Sequence, residues 1–582
     1  MSQQKGRIRI RLVLGLVLLM GGLFMVRLFF LQVIKGDYYA EQSDRQYLKS
    51  ATTFFNRGSI YFQNRKGDIV SAATLKQEFL LTVNPKMIKD KEQVYTELNK
   101  VTAVDKDLFM DKLNRPGSLY EEIKDSLNQE EATAIRGLEL AGVYLIKEKI
   151  RFYPAGPTAS HVLGFMAFKE EDYVGRYGLE KYYQPVLDHK ETGSFASFFA
   201  EIFMGLGKSI LSDSPTTREG DLVLSIEPVV QNTVERELKG VLDKWQADSG
   251  GVIVMDPNTG AIVAMASYPN FNPNEKQKDI TNLPNPIVER VFEMGSVIKP
   301  LTMAAGFDAG VIKPETTFED KGFVKLNGKT IMNHDKKVRG VVPMQTIIDQ
   351  SMNTGAVFIE QRLGRDTFRK YMLAYGLGEK TGIDLPDEIP GLTRNLNSKE
   401  EVNYATVSFG QGIALTPIAT IKAFASLANG GKLIEPHVVK EIRYNDGGNY
   451  IVQPKVTREV LGRQATDDMT QIMVNAVDHA LLNGTKRMER YAIAAKTGTA
   501  QMAGPGGKYY DDRFLHSFVG YYPAYQPRFV TLIYMVYPKN GARFASDTLT
   551  DPFMNIAKFM INYYELPPDR ETVSRDKVSA TI

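Results

Sequence analysis

The chain has 582 residues, 43% of them apolar and 24% charged, an ordinary globular balance in a length that exceeds one core, so two or three domains are expected. Its 71 Lys and Arg against 68 Asp and Glu leave a net charge of +3, which lends no support to a nucleic-acid binder with a concentrated basic face. There is no cysteine, which excludes disulfides, thiolate metal sites and cysteine nucleophiles and suits an oxidising, extracytoplasmic setting.

At the N-terminus, Lys5, Arg7, Arg9 and Arg11 precede an apolar stretch over residues 12–34, long enough to cross a bilayer as a helix. Arg27 and Gln32 are its strongly polar members. Arg27 is expected to snorkel or to face a partner helix. Val26-Arg27-Leu28-Phe29-Phe30 offers no small residues for a signal-peptide cleavage site, so the stretch reads as an uncleaved anchor. The basic flank leaves residues 1–11 as a cytoplasmic tail and places the bulk of the chain outside.

Residues 35–219 read as an α+β segment. A strand-like run at Glu78–Val83 alternates with charged helical stretches at 89–100 and 118–136. Within it, Phe195, Phe198, Phe199, Ile202, Phe203 and Leu206 fall at helical spacing in the apolar segment 195–211. That segment is either a helix packed on its own domain or an interfacial helix touching the bilayer or a membrane partner. From residue 220 the texture changes. Two apolar strands, 251–256 and 261–266, flank the turn Asp256-Pro257-Asn258-Thr259-Gly260, a hairpin. Helical patterns fill the middle, and 491–499, 514–522 and 528–537 read as three more strands. Two strands early and three late predict one antiparallel five-stranded sheet covered by helices, an α+β domain over 220–567. The charged tail 568–582 is expected to be disordered.

Three short motifs carry chemistry. In Ser296-Val297-Ile298-Lys299, serine and lysine three apart share one face of a helix. Pro300 is tolerated only near a helix start, so the helix should begin close to Ser296. A serine hydroxyl needs a base to become a nucleophile, and a lysine held from water near other cations can lose its proton and serve. In Ser351-Met352-Asn353, a hydroxyl and an amide two apart can line one cleft if the segment is a loop, one relaying a proton and the other holding a substrate carbonyl. In Lys496-Thr497-Gly498-Thr499, an edge strand would offer a cation, two hydroxyls, a backbone N–H and a glycine that lets a substrate backbone approach. The histidines (His161, His189, His334, His437, His479 and His516) show no metal-ligand spacing. Neither a metal, a cofactor nor a histidine base is expected.

The order Ser-x-x-Lys, Ser-x-Asn, Lys-Thr-Gly is the pattern of penicillin-binding proteins and serine β-lactamases. The chain resembles a class B penicillin-binding protein over nearly its whole length. Arg57-Gly58-Ser59-Ile60, Arg151-Phe152-Tyr153-Pro154 with His161-Val162-Leu163-Gly164, and Gly178-Leu179-Glu180 resemble the family's pedestal motifs. Residues 251–269 resemble the first hairpin of its transpeptidase domain, and Ser408–Ile413 with Thr416-Pro417 the stretch leading to the back of its active site. The departures are Asn64-Arg65-Lys66-Gly67 after an apparent two-residue insertion, Ala495 where glycine is common, and Met294 where proline is common.

The resemblance implies a single anchor over 12–34, an α+β pedestal (dimerisation-like) domain over 35–219 and a penicillin-binding transpeptidase domain over 220–567. It implies Ser296 as acylated nucleophile and Lys299 as base, with Ser351 and Asn353 completing the proton network. It implies Lys496, Thr497 and Thr499, with Gly498 between them, as the carboxylate-binding edge, and the N–H groups of Ser296 and Thr499 as the oxyanion hole. The implied reaction is serine-type D-Ala-D-Ala transpeptidation of peptidoglycan stem peptides, sensitive to β-lactams, at the cytoplasmic membrane, with a SEDS-type polytopic glycosyltransferase and divisome proteins as partners. The segments Ser408–Gly412, Lys496–Gln501, Ser517–Gly520 and Leu566–Asp569 look more like the septal type than the elongation type. The competing readings are an elongation-type class B transpeptidase and a catalytically silent division scaffold. A β-lactamase needs no anchor and pedestal of this length, and there is too little chain for a second, glycosyltransferase domain.

Overall fold

The computed structural model describes residues 20–22, 56–169, 172–189, 218–275, 280–504 and 508–570. The expected anchor at 12–34 (apart from residues 20–22), the apolar segment 195–211 and the tail beyond 570 lie outside the described residues. Among those described, no helix is long and apolar enough to cross a membrane. The described chain forms two compact units, one built from Leu75–Ile150 and the other from Arg57–Thr74 with everything from Arg151 onward.

The smaller unit has its own core, in which Phe79, Leu81, Leu98, Phe109, Leu127 and Ile135 are buried together. The stretch 118–136, expected as helix, divides into a strand, Glu121–Leu127, and a helix, Gln129–Gly137. The strand pairs with Ile69–Val83 and buries Glu121, Ile123 and Leu127. The break falls at Asn128, whose side chain accepts from the Glu131 N–H while Glu131 reaches back to the Asn128 N–H. This is a capping box, the local signal that a charge-based reading overlooks.

The larger unit is organised by an antiparallel sheet of five strands: β1 (Ser249–Met255), β2 (Ile262–Tyr268), β3 (Ala494–Ala503), β4 (Tyr509–Tyr522) and β5 (Phe529–Val536). Their order is β3-β4-β5-β1-β2, so the two early strands and three late ones close one sheet, as the sequence predicts. Strand β3 starts three residues later than expected and runs further, to Ala503. Every residue of β5 is buried, the mark of a strand covered on both faces. Helices α1 (Pro228–Trp245) and α6 (Ala545–Tyr563) pack on one face around Val252, Val254, Phe518 and Phe553. On the other lie α2 (Lys299–Asp308), α4 (Pro417–Ala428) and α5 (Arg463–Asn475), with Leu301, Ile421 and Met473 in one core with Ile253 and Leu532. Helix α3 (Asn353–Leu363) packs against α2. The chain remains tied down past Pro568. Asp569 accepts from the N–H groups of Ala492 and Tyr525, and Arg570 pairs with Asp478 at 2.7 Å. The tail expected to be free from 568 is therefore anchored through 570.

Three segments far apart in sequence meet on one carboxylate in this unit. Glu180 accepts from Arg57 Nε and Arg151 Nε, each at 2.6 Å, and from the Tyr153 hydroxyl at 3.1 Å. Arg151 also donates to the Gly58 carbonyl at 2.8 Å. All three charged side chains are fully buried. Burial pushes the Glu180 carboxyl up, but Arg151 and then Arg57 more than offset this and hold it below the ordinary carboxylate range. Removing the carboxylate would leave two guanidiniums buried without a counter-charge. Glu180→Ala should therefore destabilise this unit by about 3–5 kcal/mol, measured by denaturant unfolding of the variant against the parent.

Candidate active site

Met294-Gly295-Ser296 forms a tight turn because Gly295 takes φ +64°, a conformation that favours glycine. A 3₁₀ turn, Gly295–Ile298, then leads directly into α2, with Pro300 in its first turn. The helix thus begins where the sequence places it, and Ser296 and Lys299 lie on one turn. The turn is wedged between two segments. On one side, the Gly295 N–H donates to the Gly410 carbonyl at 3.3 Å and the Gly412 N–H to Glu293 Oε1 at 3.1 Å. On the other, Ser517 of β4 donates to the Met294 carbonyl at 2.8 Å.

Lys299 is 1% exposed. Its Nζ donates to Asn353 Oδ1 at 2.9 Å, to Ser351 Oγ at 3.2 Å and to the Ser351 carbonyl. Two of these contacts come from a residue in the left-handed region, Ser351, at φ +53°. A strained non-glycine residue held at a cleft marks a site where the surroundings dictate the backbone. Burial drives the Lys299 ammonium well below the usual lysine value, and the charge of Lys496 adds to the effect. Lys496, also buried, is lowered to about 8 by burial, with Asp349 acting against the shift.

Asn353 opens α3 and donates from Nδ2 to the Met332 carbonyl at 3.0 Å. Beneath it, the hydroxyl of Thr354 donates to Asp320 at 2.8 Å, and Asn333 donates to both oxygens of Asp320. This buried network of Asp320, Asn333 and Thr354 holds the wall that carries Ser351 and Asn353. Sequence reasoning missed it because none of the three belongs to a motif. It also missed Glu293, which receives the Tyr509 hydroxyl at 3.0 Å and whose carboxyl is raised by burial.

Lys496, Thr497, Gly498 and Thr499 lie on β3, the sheet edge, paired with Val519 to His516 of β4. Strand pleating separates them. Lys496 and Gly498 are buried, Gly498 against the Met294–Val297 turn, while Thr497 and Thr499 are half-buried. Thr499 Oγ1 accepts the Ala545 N–H of α6 at 3.0 Å. The need for glycine at 498 differs from the expectation that it clears space for substrate. A Cβ there would lie 2.5 Å from the Met294 carbonyl oxygen and closer still to Ser517 Oγ, so a small residue is required by the protein's own Met294–Val297 turn. The structure joins Lys299 to Ser351 and Asn353, brings Lys496 within range of the Lys299 charge, and sets Gly498 against the Met294–Val297 turn that carries Ser296. They join a serine, a lysine with its charge suppressed, a second cation and a strand edge, the components of acyl transfer through a covalent serine intermediate.

A family model for the penicillin binding protein transpeptidase domain matches residues 250–556, and one for the penicillin-binding protein dimerisation domain matches residues 53–194. The chain is 28% identical to stage V sporulation protein D of Bacillus subtilis, covering 94% of this chain and 84% of the relative. It is 25% identical to the peptidoglycan D,D-transpeptidase FtsI of Escherichia coli, covering 97% and 93% respectively. Among solved structures, penicillin binding protein 2X from Streptococcus thermophilus superposes with a TM-score of 0.70 at 20% identity, over 88% of this chain and 80% of that one. Penicillin binding protein 3 from a Mycobacterium, solved with aztreonam, gives 0.66 at 23% identity, over 89% and 98%.

The packing at Gly498 is directly testable. Gly498→Ala should cost about 1–3 kcal/mol of stability, the range for overpacking a tight interior, seen as a lowered thermal unfolding temperature. A neutral result would mean that Met294 and Ser517 yield without penalty.

Proposed function

The chain belongs to the penicillin-binding protein transpeptidase family and is a serine-type peptidoglycan D,D-transpeptidase, and from that premise we propose how its residues share the reaction and where it acts. Ser296 is the nucleophile, and Lys299, in its neutral form, takes the serine proton. The observation that carries this is the confinement of Lys299 Nζ by Ser351 and Asn353 in a site that lowers its pKa. The Ser351 hydroxyl lies within reach to pass the proton on to the leaving amine. Attack at the carbonyl of the penultimate D-alanine forms the acyl-serine and releases D-alanine, and an amine of a neighbouring strand then takes the acyl group. The N–H groups of Ser296 and Thr499 stabilise the oxyanion. Supporting this pairing, a Cβ on Gly295 would stand 3.0 Å from the Thr499 carbonyl oxygen, so the two backbones run side by side. Thr497 and Thr499 offer hydroxyls to the substrate carboxylate at the accessible side of β3, Gly498 keeps the strand flat against the nucleophile turn, and Lys496 supplies the positive field behind them.

The protein is read as penicillin-sensitive, held at the cytoplasmic membrane by an uncleaved single-pass anchor over residues 12–34 with its catalytic domain outside, and partnered by a SEDS-type polytopic glycosyltransferase and divisome proteins. The septal role rests on the resemblance of Ser408–Gly412, Lys496–Gln501 and Leu566–Asp569 to the division type. The elongation-type reading stands beside it as the alternative for a class B transpeptidase.

Ser296→Ala should abolish covalent labelling by a fluorescent penicillin and leave the unfolding transition in place. Lys299→Arg should fail as fully as Lys299→Ala, because arginine keeps its charge. An adduct mapped by mass spectrometry to another residue, or near-normal labelling of the arginine variant, would sink these assignments. A second prediction concerns pH. Lys496 is cationic below about 8 and loses its charge above it. The kcat/KM for a D-Ala-D-Ala donor, which reports groups of the free enzyme, should therefore fall as pH rises through about 8. In Lys496→Arg that alkaline limb should vanish below pH ~10, since arginine titrates above ~12.

A further inference from the structure

Lys496 is a buried cation whose own contacts do not balance its charge. It is 6% exposed. Of the three N–H donors on its ammonium, one goes to the Thr497 carbonyl at 3.0 Å. Among the described residues no carboxylate forms an ion pair with it. Free donors suit a pocket for a substrate carboxylate, but burial without a counter-charge favours loss of the proton. A residue outside every motif meets that difficulty. Asp349 ends the short helix Met344–Asp349, two residues before Ser351, and is half-buried. Its Oδ1 accepts from Gln345 Nε2 at 2.7 Å. The same amide nitrogen donates to the Ile472 carbonyl at 3.0 Å, and Gln345 Oε1 accepts from Asn475 Nδ2 at 3.4 Å. The carboxylate is thus moored to the last turn of α5. Beyond α5 the chain passes into a π-helical turn, Ala476–Ala480, which packs on both the short helix and β3. Asp349 and Lys496 therefore flank one turn, and the carboxylate acts on the lysine charge. Burial raises the Asp349 pKa, and the Gln345 hydrogen bond, His479 of the π-helical turn and Lys496 oppose the rise. The other titratable groups on which the Lys496 charge acts are Lys299 and His334.

We infer that Asp349 is a positioning residue for the carboxylate end of the acyl donor: held back by the Gln345 amide, it supplies the negative charge that keeps Lys496 an ammonium while leaving the ammonium's donors to the substrate. The inference rests on the reading that Lys496 serves the donor's terminal carboxylate. A carboxylate in direct contact would stabilise the charge more strongly, but it would occupy the N–H groups that the substrate needs. One set back acts through space, and the protein interior screens that action less than water does, so it supports the charge without competing. The Gln345 amide, fixed to α5, sets the distance.

The test measures the second-order rate constant for acylation of the full chain by benzylpenicillin, which carries a carboxylate, from about pH 6 to about pH 9.5. In Asp349→Asn the alkaline limb should move down by about one pH unit, the effect of losing one nearby charge. The rate constant should then fall about eightfold at pH ~8.5 and stay within about twofold of the parent at pH ~6. Gln345→Met frees the carboxylate to swing onto Lys496 and should act in the opposite sense. Its limb should move up by about half a unit, while the rate constant at pH ~7 falls about fivefold because the ammonium is now occupied. In the Lys496→Arg background, Asp349→Asn should leave the profile unchanged, since arginine stays charged without support. A mere loss of folded protein lowers a whole profile and moves no limb. A limb that keeps the parent position in either single variant, or an Asp349→Asn shift that survives in the Lys496→Arg background, would overturn the role of Asp349. An alkaline limb of the parent that persists in Lys496→Arg would instead overturn the reading of Lys496 on which the inference rests.

Discussion

The site is organised around a lysine ammonium that the fold has taken out of water. Lys299 is the first residue of α2, a helix whose next eight residues are all buried. Its position is unfavourable twice over. Burial penalises the charged form, and the N-terminus of a helix carries the positive end of the backbone dipole, which repels a cation. Three oxygens from Ser351 and Asn353 converge on Nζ to offset this, and they can do so only because Ser351 adopts a left-handed backbone. Holding that backbone requires Asn353 to be tied to Met332 and Thr354 to be tied to Asp320 and Asn333. The need to satisfy one buried nitrogen therefore propagates through two layers of polar contacts, none of them with substrate.

A second cation makes the arrangement selective. Lys299 and Lys496 are both buried and each lies in the other's neighbourhood, yet their surroundings differ. Asp349 supports the charge on Lys496, whereas the charge acting on Lys299 is that of Lys496 itself. Two titratable groups of one kind are thus pushed apart by environment. The more strongly lowered lysine is suited to be the base, and the one supported by a carboxylate is suited to remain the cation. Ser296 lies on a turn fixed by Gly410, Gly412 and Ser517, so its backbone position is set by packing rather than by its own side chain.

Much of this was legible in the sequence, for identifiable reasons. The three motifs are legible because Ser-x-x-Lys, Ser-x-Asn and Lys-Thr-Gly follow one another in that order, and the early hairpin and late strands are legible as apolar runs of strand length. The pedestal motifs were visible as residues, but not that Arg57, Arg151 and Glu180 are a single buried cluster, because pairing over such separations leaves no local trace. The stretch 118–136 misled because charge density looks alike in an exposed strand and an exposed helix, and only the Asn128–Glu131 box divides them. Gly498 is legible as a position that must stay small, but not that Met294 and Ser517 lie against it, since spacing reveals that something approaches and not what.

The buried cluster also explains how the larger unit can be discontinuous. The chain leaves it after Thr74 and re-enters at Arg151. Arg57 leads into the strand that pairs with the exit, Ile60 lying opposite Ala73, and is bound to Glu180, and at re-entry Arg151 is bound to the same carboxylate and to the Gly58 carbonyl. The two ends of the excursion are therefore closed by side chains that belong to the larger unit. The intervening residues, 75–150, bury a separate core of their own. Loop-closure entropy rises only slowly with length, so once the ends are fixed the excursion's size and sequence have little leverage on the unit that carries the catalytic residues. What must be kept is the carboxylate at 180 and the two guanidiniums that meet it, because the loss of one partner leaves the remaining charge buried and unpaired.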